Sequence, residues 1–244
     1  MDDVLHRERS HFDQMALQDA LFWADRTPAG ARRREMRAEW FRRAADLSAG
    51  RRVLEIGCGL GHMTRELART RGLEIVATDL SPALIAAASA DPLPDVTFRV
   101  ANAEQLDLPT HTFDAVLGNA VLHHLRLEHA LPELLRVLKP GGRFCFVEPN
   151  YLNPQVFVVL RSAALRRRVG ASPDETAFVR WRLRRALAAY PLTDIRIASF
   201  DFLHPSVPAA LIRPVERLGR LLERTPLVRE LSGSLAISAT RTSA

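Results

Sequence analysis

Short apolar runs alternate with amphipathic stretches between residues 50 and 150, and this rhythm is the main structural signal in the chain. Runs of this kind, rich in Val, Ile, Leu and Phe, are typical of strands buried on both faces of a parallel sheet. Strands are predicted at residues 52–56, 74–79, 96–100, 113–117 and 143–148. Helices are predicted at 62–71, after Ser81-Pro82, and at 127–138. Strands and helices that alternate at this spacing favour a doubly wound α/β fold.

The pattern changes on either side of this region. Two helices are predicted before it, at residues 4–25 and 31–47, with a break at Thr27-Pro28-Ala29-Gly30. One side of the first helix would carry the apolar residues Phe12, Met15, Leu17, Leu21 and Phe22. After the alternating region, helices are predicted at 155–169, 175–190 and 207–224, the last interrupted at Pro214. Strands are predicted at 193–202 and 234–240.

Length and composition are those of an ordinary globular protein. The chain has 244 residues, 47% of them hydrophobic and 25% charged, which is enough for one large domain. Its two cysteines, Cys58 and Cys145, form neither a disulfide framework nor a C-x-x-C pair. No secretory signal is recognised, and apolar stretches such as 156–160 are far too short to cross a bilayer. A cytoplasmic location is therefore expected.

Charge is unevenly distributed along the chain. Residues 1–150 contain 19 Lys and Arg against 21 Asp and Glu, a balance of −2, whereas residues 151–244 contain 15 Arg against 7 acidic residues, a balance of +8. A basic surface attracts nucleic acid, anionic lipid or acidic substrates. Since every cation except Lys139 is Arg, a general bias of composition explains the imbalance equally well.

The strongest chemical signal is the run Glu55-Ile56-Gly57-Cys58-Gly59-Leu60-Gly61. Glycines after a buried strand allow a sharp turn and let a ligand lie against bare backbone amides. The dinucleotide fingerprint G-x-G-x-x-G requires a glycine at position 62, which is histidine here. The carboxylate of Glu55 would also repel a pyrophosphate. A cationic ligand without phosphate is therefore favoured.

The run from Val53 to Gly61 resembles the first motif of class I S-adenosylmethionine-dependent methyltransferases. Three further segments match that family in order: Asp79 at the end of the second strand, Phe113-Asp114-Ala115-Val116 with the following Asn119–Leu125, and Arg136–Gly142. The resemblance covers residues 45–150 and is closest to small-molecule methyltransferases, including those that act on quinones. It implies a Rossmann-like, doubly wound seven-stranded sheet, with the last strand antiparallel between the fifth and sixth. A helical N-terminal segment and a helical lid inserted after strand five complete the expected fold.

The same resemblance implies a cofactor site for S-adenosylmethionine, with S-adenosylhomocysteine as product. The expected cofactor-binding residues are Glu55, Gly57, Cys58, Gly59, Gly61, Asp79, Leu80, Asn102, Ala103, Glu104 and Asn119. In this family the carboxylate at the position of Asp79 accepts hydrogen bonds from the ribose hydroxyls. The chain departs from many relatives at Asn102, where an acidic residue contacts the adenine amino group; an amide oxygen can accept the same hydrogen bond.

A general base is needed only if the acceptor must lose a proton. The candidates for a catalytic role, in order of preference, are His124, His123 and Glu148, followed at a distance by His204 and His11. Histidines in this segment also serve packing, and Glu148 with Asn150 could instead cap the next helix. No metal is expected, because the group His111, His123, His124 and His129 lacks a recognisable ligand spacing.

The sequence thus predicts methyl transfer to a small, hydrophobic or lipid-linked acceptor through oxygen, nitrogen or carbon. A nucleic-acid methyltransferase is the first alternative, suggested by the basic C-terminal part. Against it, no Asn-Pro-Pro-Tyr-like motif is present, and Asn150-Tyr151 falls after strand five. A catalytically silent binding protein is the second alternative, disfavoured by the intact Glu55, glycine turn and Asp79.

One domain is expected, divided into an N-terminal helical cap (1–48), a cofactor-binding core (49–150), an acceptor and lid region (151–232) and a last strand (233–244). The chain would act as a monomer or homodimer. Helix 207–224 separates leucines from arginines, the leucines at 211, 218 and 222 and the arginines at 213, 217, 220 and 224. Three interpretations stay open for this helix: a lid over the acceptor, a peripheral contact with anionic membrane, or ordinary core packing.

Overall fold

A computed structural model describes residues 3–16, 26–172 and 174–243 of the chain. Its centre is a seven-stranded sheet. The strands are β1 (Arg52–Ile56), β2 (Glu74–Asp79), β3 (Val96–Val100), β4 (Phe113–Asn119), β5 (Leu138–Pro149), β6 (Leu192–Phe200) and β7 (Ser234–Arg241). They lie in the order β3-β2-β1-β4-β5-β7-β6.

Helices cover both faces of this sheet. They are α1 (Asp3–Ala16), α2 (Pro28–Ala44), α3 (His62–Leu67), α4 (Pro82–Ser89), α5 (Leu127–Val137), α6 (Pro154–Arg161), α7 (Ala163–Val169), α8 (Arg180–Leu187) and α9 (Ile212–Leu222). Short 3₁₀ turns occur at Leu122–His124, Ala209–Leu211 and Val228–Leu231. As predicted, the Ser81 hydroxyl caps α4 by accepting a hydrogen bond from the Leu84 N–H, and Pro82 follows in the first turn.

The apolar runs are buried because both faces of the sheet are covered. One hydrophobic cluster packs α5 and α8 against the sheet and includes Leu131, Phe144 and Leu183. A second cluster packs α2 and α3 against the opposite face and includes Phe41 and Leu67. The doubly wound arrangement predicted from the alternating pattern is therefore confirmed.

The last strand has the position that the family resemblance implied. β7 is antiparallel to β5, with Phe146 opposite Ile237, and antiparallel to β6, with Ile197 opposite Ile237. The other neighbouring strands, from β3 to β5, pair in parallel. In this sheet β7 is the reversed strand, and it lies between β5 and β6. The predicted position and direction of the last strand are therefore confirmed.

Several predicted boundaries were wrong. The helix expected at 62–71 ends at Leu67, and the one expected at 175–190 begins only at Arg180, because Phe178 forms a β-bridge with Asn150. The helix expected at 155–169 is broken at Ser162, whose extended backbone and hydroxyl begin a new helix. Pro214 does not interrupt α9, since it lies in the first turn, where backbone N–H groups lack helical partners. The first helix is described to Ala16; the predicted Leu17, Leu21 and Phe22 lie outside the described residues.

Helix α9 exposes the leucines that core packing would bury. Leu218 is 54% exposed and Leu221 62% exposed, and Gly219 is the one buried residue of this helix. Leu218 is therefore not a core residue, whereas Val215 and Leu222 of the same helix are half-buried. Within the described residues, no helix is long and apolar enough to span a membrane.

Candidate active site

A cavity of about 360 Å³ opens at the carboxyl ends of β1, β2 and β4. The strand order reverses between β1 and β4, and ligands of open α/β sheets bind at such a reversal. The cavity volume lies within the range of about 300–1,000 Å³ that is usual for small-molecule sites. Every predicted cofactor-binding residue except Gly61 lines this cavity.

The glycine turn forms one wall of the cavity. Gly57 and Gly59 both have positive φ, 67° and 54°, a conformation that side-chain-bearing residues rarely adopt. A Cβ atom at Gly57 would lie 2.5 Å from Cγ2 of Val121, so the loops after β1 and β4 approach too closely for a side chain. Gly61 begins α3 with a φ of 74° and faces Arg65 and Phe98 rather than the cavity. It therefore shapes the turn and does not line the site.

Glu55 presents a buried carboxylate beside this turn. The residue is 1% exposed, and its Oε2 has no hydrogen-bond partner among the described residues. Burial raises the pKa of Glu55 to about 7; the Thr64 hydroxyl opposes the rise and neighbouring Asp79 adds to it. A buried acceptor atom without a donor is rare in folded proteins, and here it lies at a cavity wall. This fits a ligand that brings a positively charged donor.

Asp79, at the end of β2, ties the two loops of this wall together. Its Oδ2 accepts a hydrogen bond from the Gly59 N–H at 2.9 Å, and its Oδ1 accepts one from the Ser81 N–H at 3.0 Å. Burial raises the pKa of Asp79, although these backbone donors oppose it. Each carboxylate oxygen keeps further acceptor capacity toward the cavity.

Three other predicted residues line the cavity but already have partners. Asn102 Oδ1 accepts a hydrogen bond from the Glu104 N–H at 3.0 Å. Glu104 accepts hydrogen bonds from the backbone and guanidinium of Arg126, the shortest of them 2.5 Å. Asn119 Oδ1 accepts a hydrogen bond from Arg37 Nη1 of α2 at 2.9 Å. Asn102 and Asn119 thus also hold local structure, and Glu104 is neutralised by an ion pair.

His123 and Glu148, two of the three catalytic candidates, do not line the cavity. Glu148 Oε1 accepts hydrogen bonds from the N–H groups of Val121 and Leu122, at 3.0 and 2.9 Å, and its Oε2 lies 2.7 Å from His123 Nδ1. Burial opposes protonation of His123, but Glu148 and nearby Glu175 outweigh it and raise the pKa of His123. Glu148 therefore caps the 3₁₀ turn after β4, and this buried pair holds the turn in place.

His124 is the catalytic candidate that reaches the cavity. Its Nδ1 lies 3.0 Å from Oε2 of Glu8, a residue of α1 that is 4% exposed. The ring of Phe12, one turn further along α1, meets the His124 ring edge-on at 5.3 Å. The two least favoured catalytic candidates do not line the cavity. His204 contacts Gln155, and His11 contacts the Gly170 carbonyl.

Helices α1 and α2, which fall within the helical cap expected at residues 1–48, both contribute to the lining of this cavity. Residues of α1 that line it are Val4, Leu5, Glu8 and Phe12, and residues of α2 are Gly30, Arg33, Arg34 and Arg37. Helix α2 is anchored by the buried carboxylate of Asp201, which accepts hydrogen bonds from Arg33 at 2.6 Å and from Arg37 at 3.1 Å. The family resemblance indicated a cap in this part of the chain, but the amphipathic pattern of α1 did not indicate which of its residues reach the cavity.

The region expected to form a lid, 151–232, contributes no cavity-lining residue within the described part of the chain. It supports the site from behind instead. The Thr176 hydroxyl donates a hydrogen bond to the His123 carbonyl at 2.7 Å, and Glu175 Oε1 lies 3.8 Å from His123 Nε2. His123, His124 and Glu175 bring ligand-type atoms within 4.8 Å of one another. Among the described residues, His111 and His129, the other histidines considered in the sequence, do not belong to this group.

Comparisons with known proteins agree with this geometry. Residues 54–146 match the family model described as a methyltransferase domain. An uncharacterised methyltransferase of Mycobacterium tuberculosis is 39% identical over 100 residues, 41% of this chain and 40% of the relative. Demethylmenaquinone methyltransferase of Tropheryma whipplei is 35% identical over 127 residues, 50% of this chain and 52% of the relative. The chain thus spans about half or less of the length of these relatives.

A solved structure extends the similarity to nearly the whole fold. The chain that accompanies the Trm112 methyltransferase activator in a Haloferax volcanii complex superposes with a TM-score of 0.70. The match covers 95% of this chain and 97% of that one, at 22% sequence identity. At this identity the likeness concerns the fold, including the segments before residue 54 and after residue 146.

Proposed function

Because residues 54–146 match the methyltransferase domain model, we propose that this protein binds S-adenosylmethionine in the cavity and transfers its methyl group to a small acceptor. The observation that carries the proposal is the unpaired, buried Glu55 carboxylate beside the glycine turn, with Asp79 on the same wall. A cationic amino-acid group matches the first carboxylate, and ribose hydroxyls match the second. The cofactor carries a positively charged sulfonium and no phosphate, which suits this acidic wall.

Different residues of the cavity would bind different parts of the cofactor. Glu55 would accept hydrogen bonds from the amino group of the cofactor, and Asp79 from its ribose. The backbone of Gly57 and Gly59 leaves room for the ligand, and the loop of Asn102 and Ala103 would contact the adenine. We propose that residues 49–150 form the cofactor-binding core and that residues 1–48 form the cap, as predicted from the sequence.

When bound, the cofactor supplies a methyl group on a good leaving group, so the protein mainly orients the acceptor and excludes water. Helices α1 and α2 carry out the exclusion, because they lie over the cavity. The α1 side chains Val4, Leu5 and Phe12 make part of the wall apolar. A small hydrophobic acceptor is therefore proposed, in keeping with the relative named for demethylmenaquinone. The arginine-rich region 151–232 lies outside the described cavity lining, which disfavours a nucleic-acid acceptor.

The test is methyl transfer from tritium-labelled S-adenosylmethionine into the organic-soluble fraction of a cell extract. The native protein should label an extractable product. Glu55→Gln should reduce the initial rate at low cofactor concentration by about 10–100-fold, because a charge-assisted hydrogen bond is worth about 1.5–3 kcal/mol. Glu74→Gln is the matched control, since Glu74 lies on the next strand, is exposed and pairs with Arg52. Label found only in nucleic acid, or no label with either protein, would contradict the proposal.

A further inference from the structure

A buried carboxylate and an imidazole meet where α1 crosses the cavity. The Glu8 side chain is 5% exposed and that of His124 13% exposed, and both line the cavity. Glu8 Oε2 lies 3.0 Å from His124 Nδ1. Since Glu8 belongs to α1 and His124 to the 3₁₀ turn after β4, the contact exists only when α1 is packed over the site.

The surroundings keep Glu8 ionised in spite of its burial. A buried carboxylate is costly unless it is paired. Burial alone would raise the pKa of Glu8, but His124, Ser172 and His11 outweigh this effect and lower it. A carboxylate placed at Nδ1 of a histidine holds the proton on that nitrogen and leaves the lone pair on Nε2. The 3.0 Å approach of Glu8 Oε2 is an ion-pair contact, and in the described part of the chain no side chain forms an aligned hydrogen bond with His124 Nδ1.

The neighbouring histidine is held in a different way. The rings of His123 and His124 are 4.0 Å apart, yet His123 is directed to Glu148 and Glu175, outside the cavity lining. The titratable groups around His124 are therefore Glu8 and His11 of α1, His123 beside it, and Glu148 and Glu175 behind His123. Of the two adjacent histidines, only His124 combines a carboxylate partner with access to the cavity.

We propose that Glu8 and His124 form a proton-accepting pair, and that the acceptor carries a weakly acidic hydroxyl of the phenol or enol class. This inference rests on the proposed methyl transfer. The hydroxyl proton passes to His124 Nε2 while the acceptor oxygen bonds to the methyl carbon. The bond from that carbon to sulfur breaks, and its electron pair stays on sulfur. The products are a methyl ether, S-adenosylhomocysteine and an imidazolium, which returns its proton to solvent.

The class of acceptor follows from two features of the wall. A general base assists most when the acceptor proton is held too tightly to be lost unaided at neutral pH, as in phenols and enols. The apolar side chains Val4, Leu5 and Phe12 adjoin the pair on α1 and suit a flat, hydrophobic ring. Glu8 acts through His124 and is therefore a positioning residue.

The test is methyl transfer to a series of para-substituted phenols, from 4-nitrophenol, which is largely ionised at pH 8, to 4-methoxyphenol, which is not. His124→Gln should reduce kcat/KM for 4-methoxyphenol by about 100-fold or more, but that for 4-nitrophenol by less than about threefold. Glu8→Gln should show the same selectivity with a smaller loss, about tenfold. Asp174→Asn is the matched control, because it removes the exposed Arg7–Asp174 contact of α1 and leaves the pair intact. Its rates should stay within about twofold of the native rates.

Two further measurements separate this inference from the proposed function. Imidazole nitrogen NMR of the native protein should show His124 with its proton on Nδ1, and Glu8→Gln should lose that preference. Calorimetry should show S-adenosylhomocysteine bound by all variants within about threefold of the native affinity. Equal losses across the phenol series, or a proton on Nε2 of native His124, would overturn the pair while leaving cofactor binding intact. Loss of activity with a chelator and recovery with zinc would overturn it in favour of a metal at His123, His124 and Glu175.

Discussion

Replacing Glu55 with glutamine should stabilise the ligand-free protein and at the same time weaken its affinity for the cofactor. Burial holds the pKa of Glu55 at about 7 instead of the ordinary 4.5. The folded protein therefore binds a proton that the unfolded chain releases. The stability that this proton contributes is fully present below pH 4.5 and is lost as the pH rises through about 7. At pH 8 the ionised carboxylate costs about 3 kcal/mol relative to a neutral side chain.

The assay is thermal unfolding of both proteins between pH 5 and pH 8. The two melting temperatures should be close at pH 5, and the variant should exceed the native protein by about 5–10 °C at pH 8, since about 1 kcal/mol shifts Tm by about 2–4 °C at this chain length. Affinity for S-adenosylhomocysteine should change in the opposite sense. The native Kd should rise about tenfold from pH 8 to pH 6, because the amino group of the ligand requires the ionised carboxylate; the variant should bind about 10–100-fold more weakly, with little dependence on pH.

Glu148→Gln provides a matched buried substitution on a strand of the same sheet. Because the Glu148 carboxylate accepts hydrogen bonds from Val121 and Leu122 and pairs with His123, its replacement should lower Tm at every pH. Removing one partner of a buried pair costs about 3–5 kcal/mol. Parallel Tm curves for native protein and Glu55→Gln, together with unchanged cofactor affinity, would refute the interpretation of Glu55 as a carboxylate kept unpaired for a ligand.

Three further predictions concern Asp79, Gly57 and the exposed surface of α9. Asp79→Asn should weaken S-adenosylhomocysteine by about 1–3 kcal/mol in calorimetry, because a charged acceptor for the ribose is lost; an unchanged Kd in a folded variant would show that β2 does not hold the ribose. Gly57→Ala should lower the free energy of unfolding by about 1–3 kcal/mol in urea titrations, because of its positive φ and the close approach of Val121; a neutral effect would mean that the loops have room to separate. The exposed leucines and arginines of α9 should bind vesicles containing anionic lipid at low salt. Replacing Arg217 and Arg220 by Gln should release the protein, because each lost charge weakens the binding free energy by about 1 kcal/mol. Equal retention of the native protein and the variant would exclude this membrane contact.

The parts of the fold that depend on local pattern could be predicted from the sequence. Buried parallel strands appear as apolar runs, so β1 and β2 were placed at their observed bounds. The edge strand β3, which is half-buried to exposed, was also placed at its observed bounds. The cap at Ser81 follows from local chemistry that no distant contact overrides. The reversed strand β7 could be predicted only through the family resemblance, because an apolar run does not reveal the direction of its partner.

Contacts between distant segments could not be predicted in this way. His123 and His124 are adjacent in sequence, and only the packing of the 3₁₀ turn shows which of them faces the cavity. Glu8 lies on α1, far from His124 in the sequence. No spacing of residues along the chain indicates that the packing of α1 brings the two side chains together. Glu148 has the right residue type for a base, but the backbone N–H groups beside it occupy its Oε1. The residue type of Glu148 therefore suggested a catalytic base, whereas its buried hydrogen bonds show that it holds the turn.

Calorimetric titration of the native protein with S-adenosylhomocysteine tests the central claim most directly. One equivalent should bind with a Kd in the micromolar range, about −8 kcal/mol, and with greater affinity at pH 8 than at pH 6. Titration with NAD should give no saturable heat, because Glu55 at the glycine turn opposes a pyrophosphate. Saturable binding of NAD, with no binding of either S-adenosylmethionine or S-adenosylhomocysteine, would contradict the assignment of this cavity.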